Sequence, residues 1–102
     1  MSENYSENRG ELIMQQIDKY GYLFCQKCNQ NHCGFKFEVH HIVFRSEAPN
    51  HPMLHHKKNL IICGSDCHKE APDSFHKDKG QRDHYVIERG LEALFGMNLI
   101  IN

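Results

Sequence analysis

Residues 38–44 read EVHHIVF, and they place two adjacent histidines, His40 and His41, in a stretch with the pattern of a β-strand. The longer run FKFEVHHIVF, residues 35–44, alternates between two faces, as a strand with one packed side does. The face that collects most of the apolar side chains consists of Phe35, Phe37, Val39, His41 and Val43. Neighbouring strand residues point to opposite faces, so His40 and His41 are expected to have different surroundings. The plain alternative is that both are ordinary strand residues.

Outward from this strand, the sequence predicts a helix, a cysteine-bearing turn, the strand itself, a loop, a second strand and two helices. The first helix has apolar residues at helical spacing and Gly21 as its C-cap. NLIIC, residues 59–63, is the second strand, and GSDCHKEA, residues 64–71, opens a helix that Pro72 ends or kinks. QRDHYVIERGLEALFG, residues 81–96, is one helical run ending at Gly96. Residues 1–9 are polar and aperiodic, so we expect a disordered lead followed by a single α+β domain over residues 10–102.

The composition limits the class of protein. A chain of 102 residues is expected to form one domain, and with 39% hydrophobic residues and no tryptophan its core is thin enough to need a metal ion or crosslink. A net charge of −1 argues against a large electrostatic footprint on nucleic acid. Neither a secretory leader nor a membrane-length apolar run is visible, so we expect an intracellular, cytoplasmic protein with no membrane partner.

Four of the five cysteines form two close pairs. CQKC contains Cys25 and Cys28, CGSDC contains Cys63 and Cys67, and a long loop separates the pairs. This spacing is typical of a four-thiolate structural zinc site, which leaves no open coordination position for chemistry. Cys33 is expected to be free and partly buried, although it could replace a member of the set. The alternative is a group of buried free thiols without metal.

The histidines and one asparagine are interleaved with these cysteine pairs. Asn59 precedes the LIIC strand, and Cys67 is followed directly by His68. The order CQKC, EVHHI, KKNLIIC and CHKEA, over about residues 22–76, resembles the HNH endonucleases, the zinc-knuckle branch of the ββα-metal nucleases. The resemblance implies a core of two antiparallel strands and a helix around one divalent ion, at about residues 34–76. It implies His41 as general base, His40 and His68 as metal ligands, and Asn59 as the residue that holds the loop between the strands.

Two departures from the family pattern concern the metal ligands. The second cysteine pair has three intervening residues where the family usually has two, and Pro72 stands where many members have a further histidine. His76 lies beyond this proline and could return as a third ligand; otherwise it is a surface residue. Arg45 is a candidate phosphate contact because its guanidinium matches phosphate oxygens. Mg²⁺, Mn²⁺ or a similar divalent cation would be the catalytic ion.

The sequence therefore favours a metal-dependent DNA endonuclease that nicks or cuts duplex DNA, of the small phage or prophage type in a bacterial host. DNA is its expected partner, with a homodimer or a larger phage DNA-processing complex as candidate assemblies. The alternative is a non-catalytic, zinc-stabilised module that binds nucleic acid or protein. A redox-sensing or zinc-storing protein would explain the cysteines but not His40, His41 and Asn59.

Overall fold

A two-stranded antiparallel sheet lies at the centre of the chain. The computed structural model describes residues 4–34, 36–70, 72 and 74–100. Strands β1 (Phe37–His41) and β2 (Leu60–Gly64) pair so that His40 lies opposite Ile61 and His41 opposite Leu60. Three helices accompany them: α1 (Tyr5–Tyr20), α2 (Lys79–Glu88) and α3 (Leu91–Phe95). A 3₁₀ turn, Lys57–Asn59, enters β2, and a wide π-helical turn, Asp66–Glu70, follows it. The expected α+β class is confirmed.

The two faces of the sheet pack against different parts of the chain. Val39, Leu60 and Ile62 form a small cluster with Leu12 and Ile13 of α1. The opposite face carries His40 and contributes to the larger core, whose most buried side chains come from β2, the loops and the last two helices: Ile42, Val43, Ile61, Cys63, Phe75, Val86 and Leu91. The two adjacent histidines of β1 therefore face different parts of the protein.

The expected disordered lead is wrong for the residues that the structure describes, because helix α1 begins at Tyr5. The side chain of Asn4 caps the helix by accepting a hydrogen bond from the backbone N–H of Glu7 at 3.0 Å. The Tyr5 hydroxyl donates to the carbonyl of Val39 at 2.9 Å, and Asn8 Nδ2 donates to the carbonyl of His55 at 2.8 Å. Polar residues without periodicity are thus ordered by contacts with distant segments. Residues 1–3 of the expected lead lie outside the described residues.

Three element boundaries also differ from the sequence prediction. The first strand ends at His41, because the backbone of Val43 bonds the Asn59 side chain instead of a strand partner. The described part of the helix expected over residues 64–71 contains only the π-helical turn Asp66–Glu70, and Ala71 lies outside the described residues. The single run expected over residues 81–96 is split into α2 and α3 at Gly90, whose φ of +63° is left-handed. Phe35 of the expected strand lies outside the described residues.

Within the part of the chain that the structure describes, no helix combines the length and the apolar character needed to cross a bilayer.

Candidate metal centres

Four cysteine side chains converge in and beside the larger core. The sulfur atoms of Cys25, Cys28, Cys33 and Cys67 all lie within 4.8 Å of one another, and those of Cys33 and Cys67 are 3.3 Å apart. A tetrahedral zinc site with bonds of about 2.3 Å separates its sulfurs by about 3.8 Å, so this group can hold a metal such as zinc. Burial raises the pKa of the Cys67 thiol, so a bound cation would be needed to keep it as a thiolate.

The membership of this sulfur group differs from the sequence prediction at one position. Cys63, predicted as the fourth ligand, is fully buried in β2 and lies outside the group, whereas Cys33, expected to be free, belongs to it. The reason is the packing at Gly64, where an added Cβ would lie 2.0 Å from the Cys33 carbonyl oxygen. The loop before β1 therefore packs directly on the backbone that ends β2, and this contact brings Cys33 to Cys67.

The turn that carries Cys25 and Cys28 is docked on the free edge of β2. The backbone N–H of Gln26 donates to the Ile62 carbonyl at 2.8 Å, and the Gln26 side chain accepts from the Ile62 N–H at 2.8 Å. Asn29 closes the turn with a φ of +61° and donates to the Cys25 carbonyl at 2.7 Å. Both cysteines of CQKC are thus held relative to the strand that leads to Cys67.

A second group consists of three histidines. One ring nitrogen each of His40, His68 and His76 lies within 4.8 Å of the others, and Nε2 of His68 is 3.1 Å from Nε2 of His76. His40 is 6% exposed, and its Nε2 is buried without a hydrogen-bond partner among the described residues. A buried nitrogen without a partner is costly in an apolar setting, and a bound cation would satisfy it. All three histidines predicted as ligands of a catalytic ion are therefore brought together.

Contact with a carboxylate orients one of these imidazoles, and burial keeps all three in the neutral form that binds a metal ion. Glu38 Oε2 contacts Nδ1 of His68, which leaves the Nε2 of that ring directed toward His76. Burial lowers the pKa of His40 to about 2, with a further effect from His68. Burial also lowers the pKa of His68 and of His76, while Glu38 opposes the change at both. The three rings are neutral at pH 7, the form that coordinates a metal ion.

The segment after the π-helical turn folds back to bring His76 into this histidine group. The N–H of Phe75 donates to the Cys67 carbonyl at 2.9 Å, and the N–H of His76 donates to the His68 carbonyl at 3.2 Å. The ring of Phe44 stacks on His76, with centroids 5.0 Å apart and planes inclined by 14°. Pro72 therefore does not keep His76 away from the other two histidines.

His41 points to the other side of β1. Its Nε2 lies 2.9 Å from Nδ1 of His55, and its ring stacks on Tyr5 with centroids 5.1 Å apart. Burial lowers the pKa of His41 to about 4, and repulsion from His55, when that ring is protonated, and from Arg45 adds to the effect. His41 is therefore neutral at pH 7 and can accept a proton.

Asn59 is fully buried and bonds two other parts of the loop between the strands. Its Oδ1 accepts from the N–H of Val43 at 2.7 Å, and its Nδ2 donates to the carbonyls of Val43 and Leu54 at 3.2 and 2.8 Å. These bonds turn the chain immediately after His41. The asparagine therefore has the contacts of a residue that holds the loop.

One open cavity of about 450 Å³ is shared by the histidine group and His41. Its lining includes His40, His68 and His76 together with His41. The charged side chains that line it are Arg45 and Lys69. Arg45, the predicted phosphate contact, is exposed at this rim and also lines a neighbouring cavity of about 410 Å³. An anion entering the cavity would meet the imidazole group and two positive charges together.

Four residues of these sites were not singled out as site residues from the sequence. The sequence predicts Cys33 as a free thiol and His55 as a solvated loop residue that could touch phosphate, and it gives Tyr5 and Glu38 no role. Glu38 had one detectable signal, because it shares a strand face with His40 two residues away. Tyr5 and His55 reach His41 only through the tertiary fold.

Comparisons with protein-family models, with curated proteins and with solved structures found no match to this chain.

Proposed function

We propose that this protein is a metal-dependent endonuclease that hydrolyses phosphodiester bonds in DNA, with His41 as the general base. One observation carries the proposal: His40, His68 and His76 converge around a buried, unpartnered nitrogen in a cavity that His41 also lines. Two antiparallel strands followed by a helical turn that carries His68 are compatible with the ββα-metal arrangement of the HNH nucleases.

The side chains around the cavity can divide the work of hydrolysis. Neutral His41 takes a proton from the attacking water, and Arg45 and Lys69 donate hydrogen bonds to the phosphate oxygens. Asn59 fixes the backbone after His41, and Glu38 fixes the ring of His68. A divalent cation on the three histidines would supply positive charge to the phosphate and to the leaving oxygen. The chain thus offers a base, anion contacts and a cation site in one cleft.

The ligand types indicate which cations suit this site. Imidazole nitrogens favour borderline cations such as Mn²⁺, Co²⁺, Ni²⁺ and Zn²⁺, whereas Mg²⁺ prefers oxygen ligands. We therefore propose that Mn²⁺ or Ni²⁺ supports cleavage better than Mg²⁺. The sulfur group holds a separate, structural zinc ion in this proposal, since four thiolates complete its coordination.

Cleavage of supercoiled plasmid tests the proposal. We expect the wild-type protein to nick the plasmid with Mn²⁺ or Ni²⁺, and His41→Ala to lose nicking while it still binds Mn²⁺. His84→Ala is the matched control, because His84 lies on the exposed surface of α2 and its described contacts are with Glu88 and Tyr85 of the same helix. A well-folded wild-type protein that cuts nothing with any of these cations would refute the nuclease.

A second candidate function is a zinc-stabilised module that binds nucleic acid or protein without cutting. The net charge of −1 favours a protein partner for such a module, because duplex DNA is usually held by a strongly basic surface. The two functions differ in one measurable property. A binding module needs no cation on the three histidines, so titration with Mn²⁺ would give no heat from that site and no change in DNA affinity.

A further inference from the structure

The proposed base has one of its ring nitrogens engaged by another histidine. Nε2 of His41 lies 2.9 Å from Nδ1 of His55, and in the described part of the chain this is its one hydrogen-bond contact. The position of His55 is itself restrained. Its carbonyl accepts from Asn8 Nδ2 at 2.8 Å, and its ring lies 5.5 Å from that of Tyr5. Tyr5 also stacks on His41, so the first turns of α1 hold both rings of the pair.

A hydrogen bond between two neutral imidazoles has only two arrangements, because each ring carries one N–H and one lone pair. If Nδ1 of His55 donates, His41 accepts at Nε2 and carries its own proton on Nδ1. His41 then has no lone pair left for a water proton. If Nε2 of His41 donates instead, its Nδ1 keeps a lone pair. Only the second arrangement leaves a working base.

We propose that His55 is the positioning residue for His41: its Nδ1 accepts a hydrogen bond from Nε2 of His41 and thereby makes Nδ1 of His41 the basic nitrogen. This inference rests on the proposed nuclease function. In the step, one water proton moves to Nδ1 of His41 while the water oxygen forms a bond to phosphorus. The bond from phosphorus to the leaving oxygen breaks, and that oxygen departs with the electron pair and takes a proton from solvent. His41 keeps its Nε2–H bond to His55 throughout.

Two substitutions at His55 separate positioning from packing. His55→Ala removes the acceptor, and because small losses of orientation at a reacting group lower rates by about 100-fold, we expect kcat to fall by about that factor. KM and the affinity for Mn²⁺ should stay at wild-type values, since His55 contacts none of the three ligand histidines in the described contacts. His55→Asn should recover most of the lost rate, because its Oδ1 can take the place of Nδ1 as acceptor. His84→Ala again serves as the control.

The tautomer of His41 gives a readout that does not depend on cleavage. Long-range ¹H–¹⁵N spectra of the full chain, recorded without Mn²⁺, should show His41 protonated on Nε2 in the wild type and in His55→Asn. In His55→Ala the ring should become a mixture of tautomers.

Three results would overturn the inference: wild-type kcat in His55→Ala, a loss of Mn²⁺ affinity as large as the loss of kcat, or a wild-type His41 protonated on Nδ1. Failure of the nuclease proposal looks different, because the wild type would then cut nothing. The spectra alone would still decide whether His55 sets the tautomer of His41, and an unchanged tautomer in His55→Ala would reject it.

Discussion

Replacing Cys33 and Cys63 one at a time separates two ligand sets that differ by a single sulfur. The spacing of the cysteines in the sequence favours Cys63, whereas the sulfur positions in the structure favour Cys33. We expect Cys33→Ala to lose the structural zinc ion and Cys63→Ala to retain one zinc ion per chain. The two variants remove the same atoms from the same core, so each is the control for the other.

The expected difference in stability follows from what each side chain does. Zinc binding contributes about 10–16 kcal/mol to the folding of small zinc domains. The whole unfolding free energy of a domain of this size is about 5–15 kcal/mol, so a variant that loses the ion should be largely unfolded. Cys63→Ala leaves only a small cavity, which should cost about 1 kcal/mol. Its melting temperature should fall by about 4–8 °C.

Native mass spectrometry and thermal unfolding followed by circular dichroism measure both quantities. We expect one zinc ion and a slightly lower melting temperature for Cys63→Ala, and no zinc and no cooperative transition for Cys33→Ala. The reverse pattern, with zinc retained by Cys33→Ala and lost by Cys63→Ala, would refute the ligand set read from the structure.

Three further predictions test other parts of the molecule. Asn59→Ala removes three buried hydrogen bonds and should lower the unfolding free energy in urea by about 2–4 kcal/mol; a loss below about 1 kcal/mol would contradict the role given to Asn59. Gly64→Ala places a Cβ 2.0 Å from the Cys33 carbonyl oxygen and should reduce the zinc content. Gly10→Ala is the control: its added Cβ has nothing within 4 Å, so it should keep the zinc content and stabilise α1 by about 0.5–1 kcal/mol. Equal zinc content in the two variants would contradict the close packing at Gly64. Glu38→Gln should weaken Mn²⁺ binding by about 10–100-fold in calorimetry, because it removes the charged partner of His68, and unchanged affinity would argue against that contact.

Local patterns were sufficient for much of the fold. Strand alternation predicted that His40 and His41 would have different surroundings. In the structure His40 contacts His68, and His41 contacts His55. Gly21 and Gly96 end helices with φ values of +82° and +66°, as expected from their positions after apolar runs. These features depend on residues within a few positions of one another, which is the range over which sequence patterns report structure.

Contacts between distant residues could not be read in the same way. Cys33 and Cys67 are 34 residues apart, and their approach depends on the fit of one loop against the backbone at Gly64. Nothing in the spacing of the cysteines distinguishes that fit from a site completed by Cys63. The first turn of α1 was missed for a related reason, because Tyr5 bonds Val39, also 34 residues away. A polar segment without periodicity looks disordered until its tertiary partners are known.

Cys67 and His68 are consecutive residues of the π-helical turn, and their side chains enter different groups. Only one peptide unit, about 3.8 Å between Cα atoms, separates a member of the sulfur group from a member of the histidine group. A displacement at one is transmitted to the other with no intermediate segment to absorb it. If the sulfur group holds the proposed zinc ion, we expect its removal by a chelator to loosen the backbone that orients His68. A change at the sulfur group would therefore reach the imidazole group even when no reagent has entered the cavity.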